Sequence, residues 1–289
     1  MTKQFGSQSM IAPLHRVLVK RPEQAFAVDD PDKWHYTSRP NLDIAQQEHD
    51  ALVSLLKQAG IEVIYHAEQL SDHADSIFVF DPALITDQGA IILSMGKDLR
   101  RGEEEAMSRC LESAGVPIHY RLHGQARAEG GDLLWVDSNT LAVGLGFRTN
   151  AEGLHQLEEA LAGQDVTVIP VELPYYTGPE ACLHLLSLIS IVDYNLAVVY
   201  PPLISVPFWQ YLQRRGFRFI EVPEEEFLTM GPNVLALAPG QCLMLEGNPV
   251  TQQRLIDAGC EVLTYRGNEI SLKAEGGATC LTRPILRSE

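Results

Sequence analysis

Apolar and polar positions along this chain alternate in a unit that returns five times. A turn followed by a short apolar run recurs at Gly60-Ile61-Glu62-Val63-Ile64, Gly115-Val116-Pro117-Ile118, Val166-Thr167-Val168-Ile169-Pro170, Gly216-Phe217-Arg218-Phe219-Ile220 and Gly259-Cys260-Glu261-Val262-Leu263. The copies stand roughly fifty residues apart, a spacing typical of modules stacked about an axis or along a line. Short runs rich in Val, Ile and Phe read as strands. A glycine just ahead suits the position where a helix ends through a left-handed residue.

Upstream of most copies the apolar period lengthens to that of a helix. The clearest case is residues 42–59, where Leu42, Ala45, Leu52, Leu55, Leu56 and Ala59 make one face, Asn41 stands at the N-cap and Asp43 lies in the first turn. Residues 103–114 and 150–162 repeat the pattern, the latter after an Asn cap. Before the helices come paired strand-like runs. Ile77-Phe78-Val79 pairs with Ala90-Ile91-Ile92-Leu93, and Leu133-Leu134-Trp135-Val136 with Leu141-Ala142-Val143 across the turn Asp137-Ser138-Asn139. Val234-Leu235-Ala236-Leu237 and Cys242-Leu243-Met244-Leu245 join through Pro239-Gly240. Each module thus reads strand, turn, strand, helix, strand. The expected fold class is α/β: a five-bladed α/β propeller of pseudo-fivefold ββαβ modules, one domain over residues 1–289. An ordinary mixed-sheet domain is the alternative.

Composition narrows the function classes. With 289 residues, 45% of them hydrophobic and 21% charged, a sizeable core is available. The net charge of −16 repels phosphate backbones, so nucleic acid is not an expected partner. The most apolar stretch, Leu183 to Tyr200, is broken by His184, Asp193 and Asn195 and does not read as a membrane span. Five cysteines at irregular spacing, without C-x-x-C, point to neither a disulfide framework nor a zinc site. A cytoplasmic protein with free thiols is expected, and a homodimer is compatible with the chain.

Ring geometry would gather equivalent strand ends at the centre, and several reactive residues stand at such ends. Cys280 follows Gly276-Gly277-Ala278-Thr279, where the glycines permit unusual torsions and close approach by a ligand. Its thiol needs a neighbouring cation to become a thiolate. His184 sits in Cys182-Leu183-His184-Leu185-Leu186-Ser187, and its imidazole suits proton transfer to and from a leaving group. Glu129-Gly130-Gly131-Asp132 places acids ahead of an apolar strand, and Asp75 and Asp81 bracket Ile77 to Phe80, their even spacing putting both on one strand face. Carboxylates pair with a planar guanidinium in bidentate fashion. Arg100-Arg101 and Phe147-Arg148-Thr149-Asn150 are candidate anion sites, with a surface salt bridge the plainer reading of Arg101. Taken singly, each residue also fits a plain role in core, turn or strand cap.

The ordered set Asp75-Ser76-Ile77-Phe78-Val79-Phe80-Asp81, Arg100-Arg101-Gly102-Glu103, Glu129-Gly130-Gly131-Asp132, Arg148-Thr149-Asn150, His184-Leu185-Leu186-Ser187 and Thr279-Cys280 resembles the guanidino-group-modifying (pentein) superfamily, nearest to the dimethylarginine hydrolases. The resemblance covers the chain from about Val17 onward and implies a five-bladed propeller acting on a cationic guanidine without metal or cofactor. It implies Cys280 as nucleophile, His184 as general acid and base, and Glu129 as partner of His184 and of the guanidinium. Asp81 would bind guanidinium nitrogens. Asp75, Arg100 and Arg148 would hold the amino-acid end of the substrate, with Ala274 also in contact with it.

Two positions bear on the substrate. Arginine deiminases and amidinotransferases of the superfamily carry His-x-Asp, and here that position is Leu186, as in the dimethylarginine hydrolases. Those hydrolases often have Glu before the second Asp, and here that residue is Phe80. N-methylated arginine is the leading substrate; an arginine deiminase-like hydrolase or an amidinotransferase is the alternative. Residues 26–40, with Trp34-His35-Tyr36, read as a lid over the pocket or as a surface loop.

Overall fold

In the computed structural model, which describes residues 3–288, the hydrophobic repeat becomes five three-stranded sheets. The first module contains β1 (Leu14–Val19), helix α1 (Leu42–Gln58) and β2 (Glu62–Tyr65). The second is β3 (Ala83–Thr86), β4 (Gly89–Ile92), α2 (Glu103–Ser113) and β5 (Ile118–Arg121). The third is β6 (Leu133–Asp137), β7 (Thr140–Leu145), α3 (Ala151–Leu161) and β8 (Thr167–Glu172). The fourth is β9 (Ile189–Asp193), β10 (Leu196–Val199), α4 (Val206–Arg214) and β11 (Arg218–Glu221). The fifth is β12 (Val234–Ala238), β13 (Gln241–Leu245), α5 (Pro249–Asp257) and β14 (Glu261–Tyr265). This is the α/β propeller of ββαβ modules that the sequence pattern predicts.

Each module pairs its middle strand antiparallel to the hairpin partner and parallel to the strand after the helix. In the third, Leu133 faces Val143 antiparallel while Val143 faces Pro170 parallel. A parallel neighbour requires a crossover, which the helix supplies. Middle strands are covered on both faces, so Leu141, Ala142 and Val143 are fully buried. The glycine that ends each helix has the left-handed torsion its position demands, with φ from 77° at Gly163 to 96° at Gly259.

The first module lacks a hairpin partner of its own. β15 (Arg283–Arg287) provides it, pairing antiparallel to β1 through Val17 with Pro284 and Leu18 with Arg283. Gly6 adds bonds to Ile285 and Arg287 on the other side. The ring is thus shut by strands from opposite parts of the chain. Among the described residues no helix is long and apolar enough to cross a membrane.

One expected strand is absent. Ala74–Ile77 is a 3₁₀ turn and Phe78 to Asp81 continues as turn, with the hairpin strand starting only at Ala83. These residues are apolar because they are buried, Ile77 at 1% and Val79 at 1% exposure, not because they join a ladder. A short apolar run does not distinguish the two. Asp75 and Asp81 therefore do not share a strand face.

The helix caps match their sequence signals. Asn41 accepts from the Ile44 amide at 3.1 Å. Asn150 accepts from the Gly153 amide at 2.8 Å and also from the Arg127 amide at 3.0 Å. Asn150→Ala removes both hydrogen bonds to Oδ1 and is expected to lower unfolding stability by about 1–2 kcal/mol. Urea denaturation followed by circular dichroism measures it; an unchanged midpoint would show that the cap contributes nothing.

Candidate active site

Glu129, His184 and Cys280 reach one place from three different modules. Glu129 precedes the 3₁₀ turn Gly130–Asp132 that leads into β6. His184 N-caps the turn Leu185–Ser187 ahead of β9, its amide donating to Ser187 Oγ at 3.1 Å. Asp132 fixes that turn from beneath. Its Oδ1 accepts from the Leu185 amide at 3.0 Å and its Oδ2 from Thr149 Oγ1 at 2.6 Å. A Cβ on Gly131 would collide with the His184 ring, so only glycine lets the two turns approach.

His184 Nε2 lies 2.6 Å from Glu129 Oε2. The other Glu129 oxygen accepts from the Gly96 and Lys97 amides at 2.9 and 3.0 Å, and Arg148 NH1 stands 3.4 Å from Oε2. Glu129 is wholly buried. Burial favours the neutral carboxyl, yet the hydrogen bond and charge of His184, with Arg148, hold Glu129 well below the usual carboxylate range. Burial likewise works against a charged imidazole, but Cys182, Asp132 and Glu129 raise His184 well above the usual histidine range. The pair is imidazolium and carboxylate at neutral pH.

Cys280 is partly buried at the start of the passage into β15. Asn233 anchors it, accepting from the Thr279 amide at 3.0 Å while its Nδ2 stands 3.6 Å from Cys280 Sγ. Gly276 and Gly277 serve close packing here, against the Phe78 ring and Asn233; neither has a left-handed torsion. Glu48 of α1 holds the preceding Asn268–Leu272 turn by accepting from the Asn268, Glu269 and Ile270 amides. Burial, with Asp81 and Cys182 nearby, pushes the Cys280 thiol up to about 12, against the opposing influence of His184. The resting thiol is neutral.

Two cavities meet at Cys280 and His184. The inner one, about 30 Å³, is lined by Asp75, Asp81, Arg100, Arg148 and Ala274 along with both reactive residues. Every expected site residue therefore converges except Glu129, which stands behind His184. Asp81 accepts from Arg100 NH1 at 2.6 Å and from the Gly131 amide at 2.9 Å. Arg100 also donates to Glu103 and to the Phe78 carbonyl. Its Nε, NH1 and NH2 all have protein acceptors, so it stands as the holder of Asp81 and not as an open carboxylate clamp. Arg101 is the exposed ion pair expected of it, with Asp98.

Of residues 26–40, the stretch around Trp34 reaches this cavity. Trp34 and His35 line it, the Tyr36 hydroxyl donates to Asp75 at 2.8 Å, and Lys97 Nζ bridges Asp75 at 2.6 Å and the Trp34 carbonyl at 2.9 Å. Sequence reasoning missed Lys97, Asn233 and Cys182. Cys182, two residues before His184, had a signal in its spacing; the other two meet the site only through tertiary contacts.

A family model for N,N dimethylarginine dimethylhydrolase, eukaryotic, matches residues 27–287. The chain belongs to that family. A Streptomyces coelicolor N(G),N(G)-dimethylarginine dimethylaminohydrolase is 29% identical over 93% of this chain and 96% of the relative. An uncharacterized Bacillus subtilis protein, YkgA, is 29% identical over 96% of this chain and 93% of its own. The solved dimethylarginine dimethylaminohydrolase of Pseudomonas aeruginosa, a mutant complexed with citrulline, superposes with TM-score 0.79 at 23% identity, covering 94% of this chain and 99% of that one. SxtG, an amidinotransferase from Microseira wollei, gives TM-score 0.81 at 16% identity over 99% and 98% of the two chains. At these identities the structures share the fold with this member of the dimethylarginine hydrolase family.

A thiol held near pKa 12 alkylates slowly in the free protein. Iodoacetamide labelling of Cys280, followed by peptide mass spectrometry, is expected to accelerate about tenfold per pH unit between pH 7 and 10. A plateau below pH 8 would mean that the thiolate already exists without substrate.

Proposed function

We propose that the chain hydrolyses N-methylated arginine, dimethylarginine giving citrulline and dimethylamine. The observation that carries this is the placement of Cys280 and His184 on one cavity wall with Asp81, with Glu129 2.6 Å behind the imidazole, in a chain of this family. The guanidinium brings the positive charge that the neutral thiol lacks. Bound against Asp81, it favours loss of the Cys280 proton to water, and the thiolate attacks the guanidinium carbon. As the S–C bond forms, the C–N bond to the methylated nitrogen breaks and His184 gives its proton to the departing amine. His184, now neutral, takes a proton from water. The hydroxide attacks the thiouronium carbon, its O–H proton passes to the sulfur as the S–C bond breaks, and the ureido product leaves with the Cys280 thiol restored. Arg148 and Lys97 hold the substrate carboxylate, Asp75 and Ala274 its ammonium end, and Arg100 keeps Asp81 in place.

Leu186 supports the methylated substrate, whereas Phe80, where the dimethylarginine hydrolases often carry Glu, removes a contact. Leu186 packs among Leu134, Ile189 and Val199, and Phe80 is buried beneath the Arg283 guanidinium, 3.6 Å from the ring centroid. Neither lines the inner cavity. An unmethylated guanidinium would thus lack a second acid, a deficit of about 1.5–3 kcal/mol for a hydrogen bond to a charged group. Methylation removes that donor.

Arginine and asymmetric dimethylarginine, offered separately with citrulline measured by chromatography, separate this reading from an arginine deiminase-like one. Citrulline from the dimethylated substrate is expected; citrulline from arginine alone would sink the proposal. Cys280→Ser is expected to abolish turnover with an unchanged circular dichroism spectrum. Glu129→Gln, which removes the charge facing His184, is expected to lower kcat roughly a hundredfold or more.

A further inference from the structure

Cys280 and His184 also face a second, outer cavity of about 330 Å³, far larger than the inner one. The two differ in charge. Lys97, Arg100 and Arg148 line the inner cavity only, and the outer lining contains no lysine or arginine. Its acids are Glu180, ion-paired with His35 at 2.9 Å, and Glu275, held in a left-handed conformation with φ 57° at the boundary of both cavities. Its remaining walls are largely apolar. Tyr176 packs edge-on to Phe227 at 6.0 Å, and Phe227 stacks on Tyr200 at 4.1 Å, so that wall is fixed by aromatic contacts. Leu228, Met230 and Pro232 continue it.

The charge difference orients a substrate. A carboxylate in the outer cavity would meet acids and no lysine or arginine, so the amino-acid end belongs in the inner one. The nitrogen that departs must face His184, its proton donor, and the outer cavity opens beside His184. Two methyl groups fill little of a space whose volume falls in the range of small-molecule sites. We propose that the outer cavity is an amine subsite that accepts a departing amine bearing an apolar group much larger than methyl. The amine leaves past apolar walls toward the acids Glu180 and Glu275, which favour its protonated form. The subsite rests on the guanidine-hydrolase reading above and extends its substrate class to arginines carrying bulky apolar Nω substituents.

The test is a series of Nω-substituted arginines, dimethyl, propyl and benzyl, with citrulline release measured for the wild-type protein and for Ala181→Phe, which narrows the outer cavity. The benzyl compound is expected to match or exceed the dimethyl one in kcat/KM. Ala181→Phe is expected to lower kcat/KM for benzyl at least tenfold more than for dimethyl. A fall of a hundredfold or more from dimethyl to benzyl in the wild-type protein overturns the subsite and leaves dimethylarginine hydrolysis standing. Equal losses on both substrates in Ala181→Phe overturn it too. If no substituted arginine yields citrulline, the hydrolase reading fails and the subsite with it.

Discussion

Glu129 has no exposure to solvent, and it carries its charge against the His184 ring. A buried carboxylate is tolerated only when its oxygens are met. Both are, one by the Gly96 and Lys97 amides and the other by His184 with Arg148 nearby. That requirement ties the second module to the third and fourth. It fixes the face that His184 turns to the cavity, and it keeps the ring charged while the thiol opposite stays neutral. Asp132 and Gly131 serve the same contact, one by holding the turn of His184 and the other by making room for its ring.

The propeller makes such a contact possible without long excursions. Each reactive side chain stands on a short turn at the end of a buried strand, where the hairpin ladders leave the backbone little freedom. A second tier of buried groups holds the first. Arg100 and Glu103 steady Asp81, Asn233 steadies Cys280, and Glu48 steadies the turn that precedes it. Glu103 and Arg100 are buried together, and burial pushes Glu103 up to about 7 despite Arg100 beside it.

Local features were legible in the sequence where a local cause sets them. Asn41 and Asn150 announce helix starts because their side chains bond amides three residues on, and the glycines at helix ends have no rival for left-handed torsions. The spacing of modules exposed the fivefold fold. Ile77 to Val79 misled because burial alone produces the same letters as a strand. Lys97 and Asn233 were invisible because their partners, Asp75 and Thr279, are distant in sequence; no spacing along the chain reveals a lysine folded over Asp75. The ring closure by β15 was equally hidden, since a strand's partner across most of the sequence leaves no periodic trace.

That closure has a consequence in time as well as space. Cys280 lies just ahead of β15, the last element of the ring, and its neighbours Asn233, Phe78 and Asp81 come from modules that precede it. During synthesis those modules can fold in order as they emerge. Cys280 is joined directly to β15, so its place against these neighbours is fixed when β15 docks on β1. A chain truncated before Arg283 would carry the thiol without the strand that holds it there.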